Sequence, residues 1–258
     1  APAEITAVVE RVYWRYPAER LTRLAARRTV SELKRAVDVN QEAEFAADRH
    51  AGRGPERAGG EAGEIAGVFI RRPRFMTEQP QRPTAAQAGT WTHLFLQKLD
   101  LEKPLDQKGL ERQREKMVRQ GFLTEYQAGF VELAGIAAFF AGPLGGQMAA
   151  RRGTVQREWP FTLAVGAAEL YPELRAAGQG AEEMVLVRGV IDCFYETEEG
   201  VVIIDFKTDR ISPEQLEERA AFYEGQMRYY ERAVGAILHK PVAEKYLYFL
   251  SAGRAVRR

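Results

Sequence analysis

Runs of apolar and polar positions predict a succession of helices and strands over most of the chain after about residue 67. The predicted helices cover residues 84–101, 109–120 and 124–141, the last being one helix or a pair of helices. The predicted strands cover residues 154–165, 184–196, 201–208 and 245–250. Strands bracketed by helices indicate an α/β domain.

A long helix is predicted to begin at Pro213, because apolar residues recur after it at alternating spacings of four and three. Such spacing is typical of one face of a helix. The residues on this face are Leu216, Ala220, Tyr223, Met227, Tyr230, Val234 and Ile237.

Composition divides the chain into three segments. Residues 48–64 contain five Gly, seven charged residues and no apolar residue larger than Ala. Such a stretch cannot offset the entropy lost on ordering. We therefore expect a flexible linker over residues 38–66, which separates a locally basic connector at 1–37 from an α/β domain at 67–258.

Charge and cysteine content exclude several classes of protein. The 258 residues include 37 basic and 36 acidic ones, and the formal net charge of +1 excludes a strongly basic DNA-coating protein. The sequence has no run of 18 apolar residues and no signal peptide at its start, so we expect no membrane contact and a cytoplasmic location. The single cysteine, Cys193, excludes a disulfide framework, a structural zinc site and a cysteine-held iron–sulfur cluster.

The strongest chemical signal is a predicted hairpin with Asp192 on its first strand and Asp205 and Lys207 on its second. Side chains alternate between the two faces of a strand, so Asp205 and Lys207 share a face. A four-residue turn over residues 197–200 places Asp192 opposite Asp205, whereas a two-residue turn at 199–200 places it opposite Lys207. Either even-length loop brings the three side chains to one face.

Two carboxylates that face each other at the end of an apolar sheet repel each other and are costly to desolvate. A divalent cation between them removes this difficulty, and oxygen ligands favour Mg²⁺ or Mn²⁺ over zinc. Lys207 would then orient a water molecule and stabilise negative charge on a phosphate. The alternative is a salt-bridged hairpin in which Lys207 only neutralises the two Asp residues.

Four further polar side chains fit such a site. His93 lies on a predicted helix, while Gln226 and Tyr230 are four residues apart on the long helix and therefore share a face. Each of these positions also fits a packed or solvated helix face. Glu158 fits either a third carboxylate near the metal or an edge residue held by an arginine, and we expect the second.

Five motifs occur in a fixed order along the chain. They are Gly89-Thr-Trp-Thr-His93-Leu-Phe-Leu-Gln97, Glu158-Trp-Pro-Phe, Arg188-Gly-Val-Ile-Asp192, Ile204-Asp205-Phe-Lys207-Thr-Asp and Gln226-Met-Arg-Tyr-Tyr230. Together they resemble the RecB-like branch of the PD-(D/E)xK nucleases, and most closely the nuclease domains of bacterial AddAB helicase–nucleases. The resemblance covers nearly the whole chain outside the predicted linker.

The resemblance implies a restriction-endonuclease-like core, with a central mixed sheet flanked by helices. It implies that Lys207 is the catalytic lysine, that Asp192 and Asp205 share the catalytic site, and that Gln226 and Tyr230 position the DNA or the lysine. The implied ligands of Mg²⁺, with Mn²⁺ as a substitute, are His93, Asp192, Asp205 and the backbone carbonyl of Phe206.

The resemblance also implies a longer ATP-driven helicase, to which residues 1–37 connect the nuclease domain. That protein would work with an AddB-like subunit in a heterodimer, as a nucleoid-associated cytoplasmic exonuclease. It would process double-strand break ends for recombination by cutting single-stranded DNA unwound from duplex ends. No G-x-x-x-x-G-K-S/T phosphate loop occurs, so this chain is not itself the motor. Two alternatives stay open: a non-catalytic nuclease-fold module for DNA binding or subunit docking, and a stand-alone restriction-type endonuclease.

Overall fold

A computed structural model describes residues 12–13, 24–33, 82–176 and 183–258 of the chain. The chain divides into a small unit, Ala1–Leu33 with Pro160–Gly189, and a large unit, Lys34–Trp159 with Val190–Arg258. The linker expected at 38–66 and most of the connector expected at 1–37 lie outside the described residues, so both stay predictions. Every candidate site residue belongs to the large unit.

The elements confirm the order expected from the pattern, and the helix expected over 124–141 is a pair. The strands are β1 (Arg27–Thr29), β2 (Gln156–Gly166), β3 (Met184–Thr197), β4 (Gly200–Lys207), β5 (Val242–Phe249) and β6 (Arg254–Arg257). The α-helices that lie wholly within the described residues are α1 (Ala85–Lys98), α2 (Gln107–Arg119), α3 (Glu125–Ala128), α4 (Leu133–Ala141), α5 (Pro143–Ala150), α6 (Ala167–Leu170), α7 (Pro172–Ala176), α8 (Leu216–Ala221) and α9 (Glu224–Leu238).

The six strands form one mixed sheet in the order β1-β3-β4-β5-β6, and β2 pairs with β3. The pairs β1–β3 and β4–β5 are parallel, whereas β3–β4 and β5–β6 are antiparallel. In the large unit, Phe95, Ile136 and Phe139 from the helices pack with Ile204 and Tyr248 from the sheet in one apolar core. The expected fold class, a central mixed sheet flanked by helices, is confirmed.

Helix α1 begins within one residue of its predicted start, at a reciprocal cap between Thr84 and Gln87. The Thr84 hydroxyl accepts from the Gln87 N–H at 3.2 Å, and the Gln87 side-chain oxygen accepts from the Thr84 N–H at 2.9 Å. The buried residues Thr92, Phe95 and Leu96 then fix which face of α1 is turned inward. The cap and this apolar face together set the position of His93.

The β3–β4 hairpin has the register expected for a turn over residues 197–200. Thr197 pairs with Gly200 and Cys193 pairs with Ile204, so the next position along the ladder sets Asp192 opposite Asp205. Gly200 is required at the turn because its φ of 139° is unfavourable for other residues. A Cβ there would also lie 2.4 Å from the Pro241 carbonyl oxygen.

The single long helix expected after Pro213 is wrong. A 3₁₀ turn at Pro213–Gln215 leads into α8, and the helix breaks before α9 begins at Glu224. The reason lies at Tyr223, whose N–H bonds to the Ala220 carbonyl three residues back and so tightens the backbone. The predicted apolar face nevertheless continues across the break, since Ala220, Tyr223, Met227, Tyr230 and Val234 are all buried, and only Ile237, near the end of α9, is exposed at 41%.

Helices α4 and α5 are the most apolar of the helices that the structure describes in the large unit. No single helix among the described residues is long and apolar enough to span a membrane, and α4 with α5 reaches that length only as a pair bent by 79°. Leu133, Ile136, Phe139 and Met148 of this pair are buried in the apolar core.

Candidate active site

The end of the β3–β4 hairpin brings Asp192, Asp205 and Lys207 together, as the strand alternation predicts. Asp192 Oδ2 accepts a hydrogen bond from the Phe206 N–H at 2.8 Å, which holds the two strands together beyond the last ladder pair. Asp205 is fully buried, and its Oδ2 lies 2.5 Å from Lys207 Nζ. The side chain of Lys207 is only 13% exposed. The hairpin therefore carries a buried ion pair beside a second carboxylate.

His93 reaches this site from α1. Its Nδ1 lies 3.5 Å from Asp192 Oδ2 and 3.7 Å from Glu158 Oε1. Burial opposes a charge on His93, but the nearby carboxylates of Asp192 and Glu158 outweigh this effect and raise the His93 pKa to about 9. The structure therefore places His93 among carboxylates, where the imidazole is electrostatically coupled to the hairpin.

The expectation that Glu158 is an edge residue held by an arginine is wrong. Glu158 adopts a left-handed backbone conformation with a φ of 50°, which strains a residue other than glycine. Residues Phe161, Leu163 and Val165 of β2 point inward, so regular alternation would turn Glu158 to the opposite face. The left-handed backbone breaks that alternation, and the Glu158 carboxylate lies beside His93.

His93, Glu158 and Asp192 form the metal-competent cluster, in which one ligand atom of each residue lies within 4.8 Å of the others. An imidazole nitrogen with carboxylate oxygens fits a divalent cation such as Mg²⁺ or Mn²⁺. Of the ligands implied by sequence, His93 and Asp192 belong to this cluster. Asp205 is bonded to Lys207 and Gln226, and it stays a predicted ligand, as does the carbonyl of Phe206.

Gln226 joins the two charged groups of the buried ion pair. Its Oε1 accepts from Lys207 Nζ at 3.2 Å, and its Nε2 donates to Asp205 Oδ1 at 3.0 Å and to the Tyr230 hydroxyl at 2.6 Å. Helix α9 thereby brings Gln226 and Tyr230 onto the end of β4. Burial raises the pKa of Asp205 to about 6, against the opposing charge of Lys207.

An open cleft of about 340 Å³ lies beside the metal-competent cluster. It is lined by Ala86, Gly89, Thr90, His93, Glu158, Asp192 and Thr208. A Cβ at position 89 would lie 2.8 Å from the Thr208 hydroxyl oxygen, so glycine at this position lets α1 approach the end of β4. Solvent and a polar substrate can therefore reach the cluster from this side.

Sequence reasoning missed Arg157, which fixes the other end of α1. Its Nη1 donates to the carbonyls of Leu96 and Leu99, at 2.8 Å and 2.5 Å. Burial lowers the Arg157 pKa, although the guanidinium keeps its charge. An arginine next to Glu158, in a strand that has no other charged residue, is the signal that could have found it. His239, for which the sequence suggests no chemistry, ends α9 in a left-handed conformation, and His50 lies outside the described residues.

Comparison with protein families agrees with this geometry. The family model of the PD-(D/E)XK nuclease superfamily matches residues 64–257. The chain belongs to the PD-(D/E)XK nuclease superfamily. Asp205-Phe-Lys207 has the D-x-K spacing that appears in the name of the family.

Individual relatives are also similar to the chain over nearly all of its length. It is 43% identical to a Moorella thermoacetica protein, the A subunit of an ATP-dependent helicase/nuclease, over 246 residues, which are 95% of this chain and 16% of the relative. It is 42% identical to the proteins of the same name from Pelotomaculum thermopropionicum and Geobacillus kaustophilus, over 96% of this chain and 18% and 19% of those relatives. The chain thus spans less than a fifth of the length of the curated relatives it matches.

Proposed function

We propose that this chain is the nuclease domain of an ATP-dependent helicase–nuclease, and that it hydrolyses phosphodiester bonds of DNA with a divalent cation. The observation that carries the proposal is the metal-competent cluster of His93, Glu158 and Asp192 beside the buried Lys207–Asp205 pair. Family membership and the names of the relatives support it.

The residues of the site divide between holding a cation and handling the phosphate. His93, Glu158 and Asp192 would hold Mg²⁺ or Mn²⁺, together with Asp205 and the carbonyl of Phe206. When bound, the cation supplies positive charge that stabilises the negative charge developing on the phosphate.

Lys207 is the proposed catalytic lysine. It carries three N–H donors, of which Asp205 and Gln226 receive two. The third is available to a phosphate oxygen or to the attacking water, whose charge the ammonium would stabilise. Gln226 and Tyr230 restrict the directions in which Asp205 and Lys207 can point, so they act as positioning residues.

The substrate and the partner follow from the relatives and from the resemblance of the five motifs. We infer a magnesium-dependent exonuclease that takes single-stranded DNA unwound from duplex ends, in a bacterial cytoplasmic protein that pairs with an AddB-like subunit. The near-neutral net charge of +1 supports delivery of the DNA by another part of the protein, because non-specific affinity for DNA depends on basic charge. Residues 1–37 and 38–66 would connect this domain to that part.

The test is cleavage of end-labelled single-stranded and duplex DNA by this chain with Mg²⁺, with Mn²⁺ and with EDTA. Asp192→Ala and Lys207→Met are expected to lower the rate by about 100-fold or more, because each removes charge needed at the phosphate or for the cation. Lys245→Met is the matched control, since Lys245 forms its ion pair with Glu231. Circular dichroism checks that each variant is folded.

Cleavage by Asp192→Ala or Lys207→Met at the native rate would overturn the proposal. A non-catalytic module would instead bind DNA without cutting it. Calorimetric titration with Mn²⁺ would then give the same heat for the native chain and for Asp192→Ala. In the full-length protein, the proposal requires that cleavage of duplex ends depend on ATP.

A further inference from the structure

The ammonium of Lys207 has a third neighbour besides Asp205 and Gln226. Its Nζ lies 3.9 Å from the centre of the Tyr223 ring, well within the range of a cation–π contact. Tyr223 is 5% exposed, and it lies where the backbone tightens between α8 and α9. The break that ends the predicted long helix therefore sets an aromatic face against the proposed catalytic lysine.

Asp209 and Arg219 hold this ring in place. The Tyr223 hydroxyl donates to Asp209 Oδ2 at 2.8 Å, and Arg219 donates to Asp209 Oδ1 through Nε at 3.1 Å and Nη2 at 2.8 Å. Burial favours the neutral form of Asp209, but the bonds from Tyr223 and Arg219 outweigh it and lower the Asp209 pKa. Asp209 follows Lys207 by two residues, so this carboxylate links the end of β4 to the start of α9.

We propose that Tyr223 is a positioning residue for Lys207, and that Asp209 with Arg219 fixes its ring; this inference rests on the nuclease function proposed above. A lysine side chain has four rotatable carbon–carbon bonds and loses much entropy when it is held in one place. The ring attracts the charge of the ammonium without requiring a particular N–H. It therefore confines Lys207 while leaving one N–H for the phosphate or the water.

The first test compares variants of Tyr223 in this chain. Tyr223→Leu is expected to lower kcat by roughly two- to thirtyfold, the range that corresponds to a cation–π contact, with KM changed less than twofold. Tyr223→Phe keeps the ring and is expected to retain kcat within about threefold. Tyr246→Phe removes the same hydroxyl from a tyrosine bonded to Glu244, away from Lys207, and is the matched control.

The second test separates the charge attraction from simple packing. Phenylalanine with one, two or three ring fluorines at position 223 keeps nearly the same shape but weakens the negative ring face. We expect log kcat to fall steadily along this series. Calorimetric affinity for Mn²⁺ is expected to stay constant, since Tyr223 does not belong to the metal-competent cluster.

A spectroscopic reading is independent of activity. Because Lys207 Nζ lies 3.9 Å from the centre of the Tyr223 ring, we expect the NMR signals of the adjoining ε-methylene protons upfield of those of other lysines in the native protein and in Tyr223→Phe. They should return to the ordinary position in Tyr223→Leu. Absence of the upfield shift in the native protein would overturn the inference.

The outcomes also separate this inference from the proposed function. If Lys207→Met is inactive while the fluorinated series keeps a constant kcat, the positioning role is wrong and the nuclease function stands. If Lys207→Met cuts at the native rate, the proposed function is wrong and this inference falls with it. If Tyr223→Leu does not fold, the fluorinated series and the NMR signals of the native protein decide.

Discussion

Removing Lys207 tests how the molecule keeps Asp205 charged inside the large unit. Lys207→Met retains most of the aliphatic stem but deletes the only cation within ion-pair distance of Asp205 among the described residues. Breaking a buried ion pair on one side costs about 3–5 kcal/mol, because the remaining charge is left unpaired. Gln226 still donates to Asp205 Oδ1 in the variant. We therefore expect a loss near the lower limit, about 3 kcal/mol of unfolding free energy.

The double variant Lys207→Met/Asp205→Asn provides the control, since it removes both charges at once. Replacing both members of a buried pair is far less costly than removing one, so we expect a net loss of about 1 kcal/mol. Urea unfolding in EDTA, followed by the fluorescence of Trp91 and Trp159 in the large unit, measures each free energy. A single variant that loses less than about 1 kcal/mol, or a double variant that loses as much as the single one, would refute the reasoning.

The same measurement with Mn²⁺ tests whether Asp205 is a metal ligand. A cation at about 100 times its dissociation constant stabilises the folded protein by about 2.7 kcal/mol. If Asp205 binds the cation, Mn²⁺ should recover more stability in Lys207→Met than in the native chain, because it also compensates the unpaired carboxylate. Equal recovery in the two proteins would remove Asp205 from the ligand set.

Three further predictions concern the scaffold of the site. Gly135→Ala places a Cβ 2.2 Å from the Leu250 carbonyl oxygen, so we expect the free energy of unfolding in urea to fall by about 2 kcal/mol or more. Gly146 has open space around it, so Gly146→Ala should raise the same free energy by up to about 1 kcal/mol. Glu158→Gly should raise Tm, because glycine adopts the left-handed backbone conformation without strain. The same variant should bind Mn²⁺ more weakly in calorimetry. A lower Tm would contradict the strain assigned to Glu158. Arg157→Ala should lower the free energy of unfolding by about 2 kcal/mol, because two buried carbonyls at the end of α1 lose their hydrogen-bond donor. A change near zero would show that water replaces the guanidinium.

Much of the hairpin could be predicted from sequence because it depends on local rules. Strand alternation and an even loop are enough to place Asp192, Asp205 and Lys207 on one face, and the structure selects the register that sets Asp192 opposite Asp205. Helix α1 was equally accessible, since its cap at Thr84 and its apolar face are both local. The roles of these residues in cleavage and metal binding stay predictions.

Other parts of the site depend on geometry that no local pattern encodes. Alternation along β2 turns Glu158 away from the core, and only its left-handed backbone brings the carboxylate to His93. The break between α8 and α9 could not be predicted from a local pattern either, because the continuous apolar spacing favours one helix. The bonds of Tyr223 and Arg219 to Asp209 join residues 14 and 10 positions apart, and they accompany the break.

The mixed pairing of the sheet has a consequence for how the site is assembled during folding. The β3–β4 hairpin is antiparallel with a short turn, so the two aspartates can meet through a local event on the microsecond scale. The parallel β4–β5 pair forms only after the crossover through α8 and α9 has closed, and contacts over such sequence separations form more slowly. Gln226 and Tyr223 lie in that crossover, so Asp192 and Asp205 would come together before the groups that hold Lys207. During synthesis from the N-terminus, Lys207 acquires its full support only when β5 has emerged.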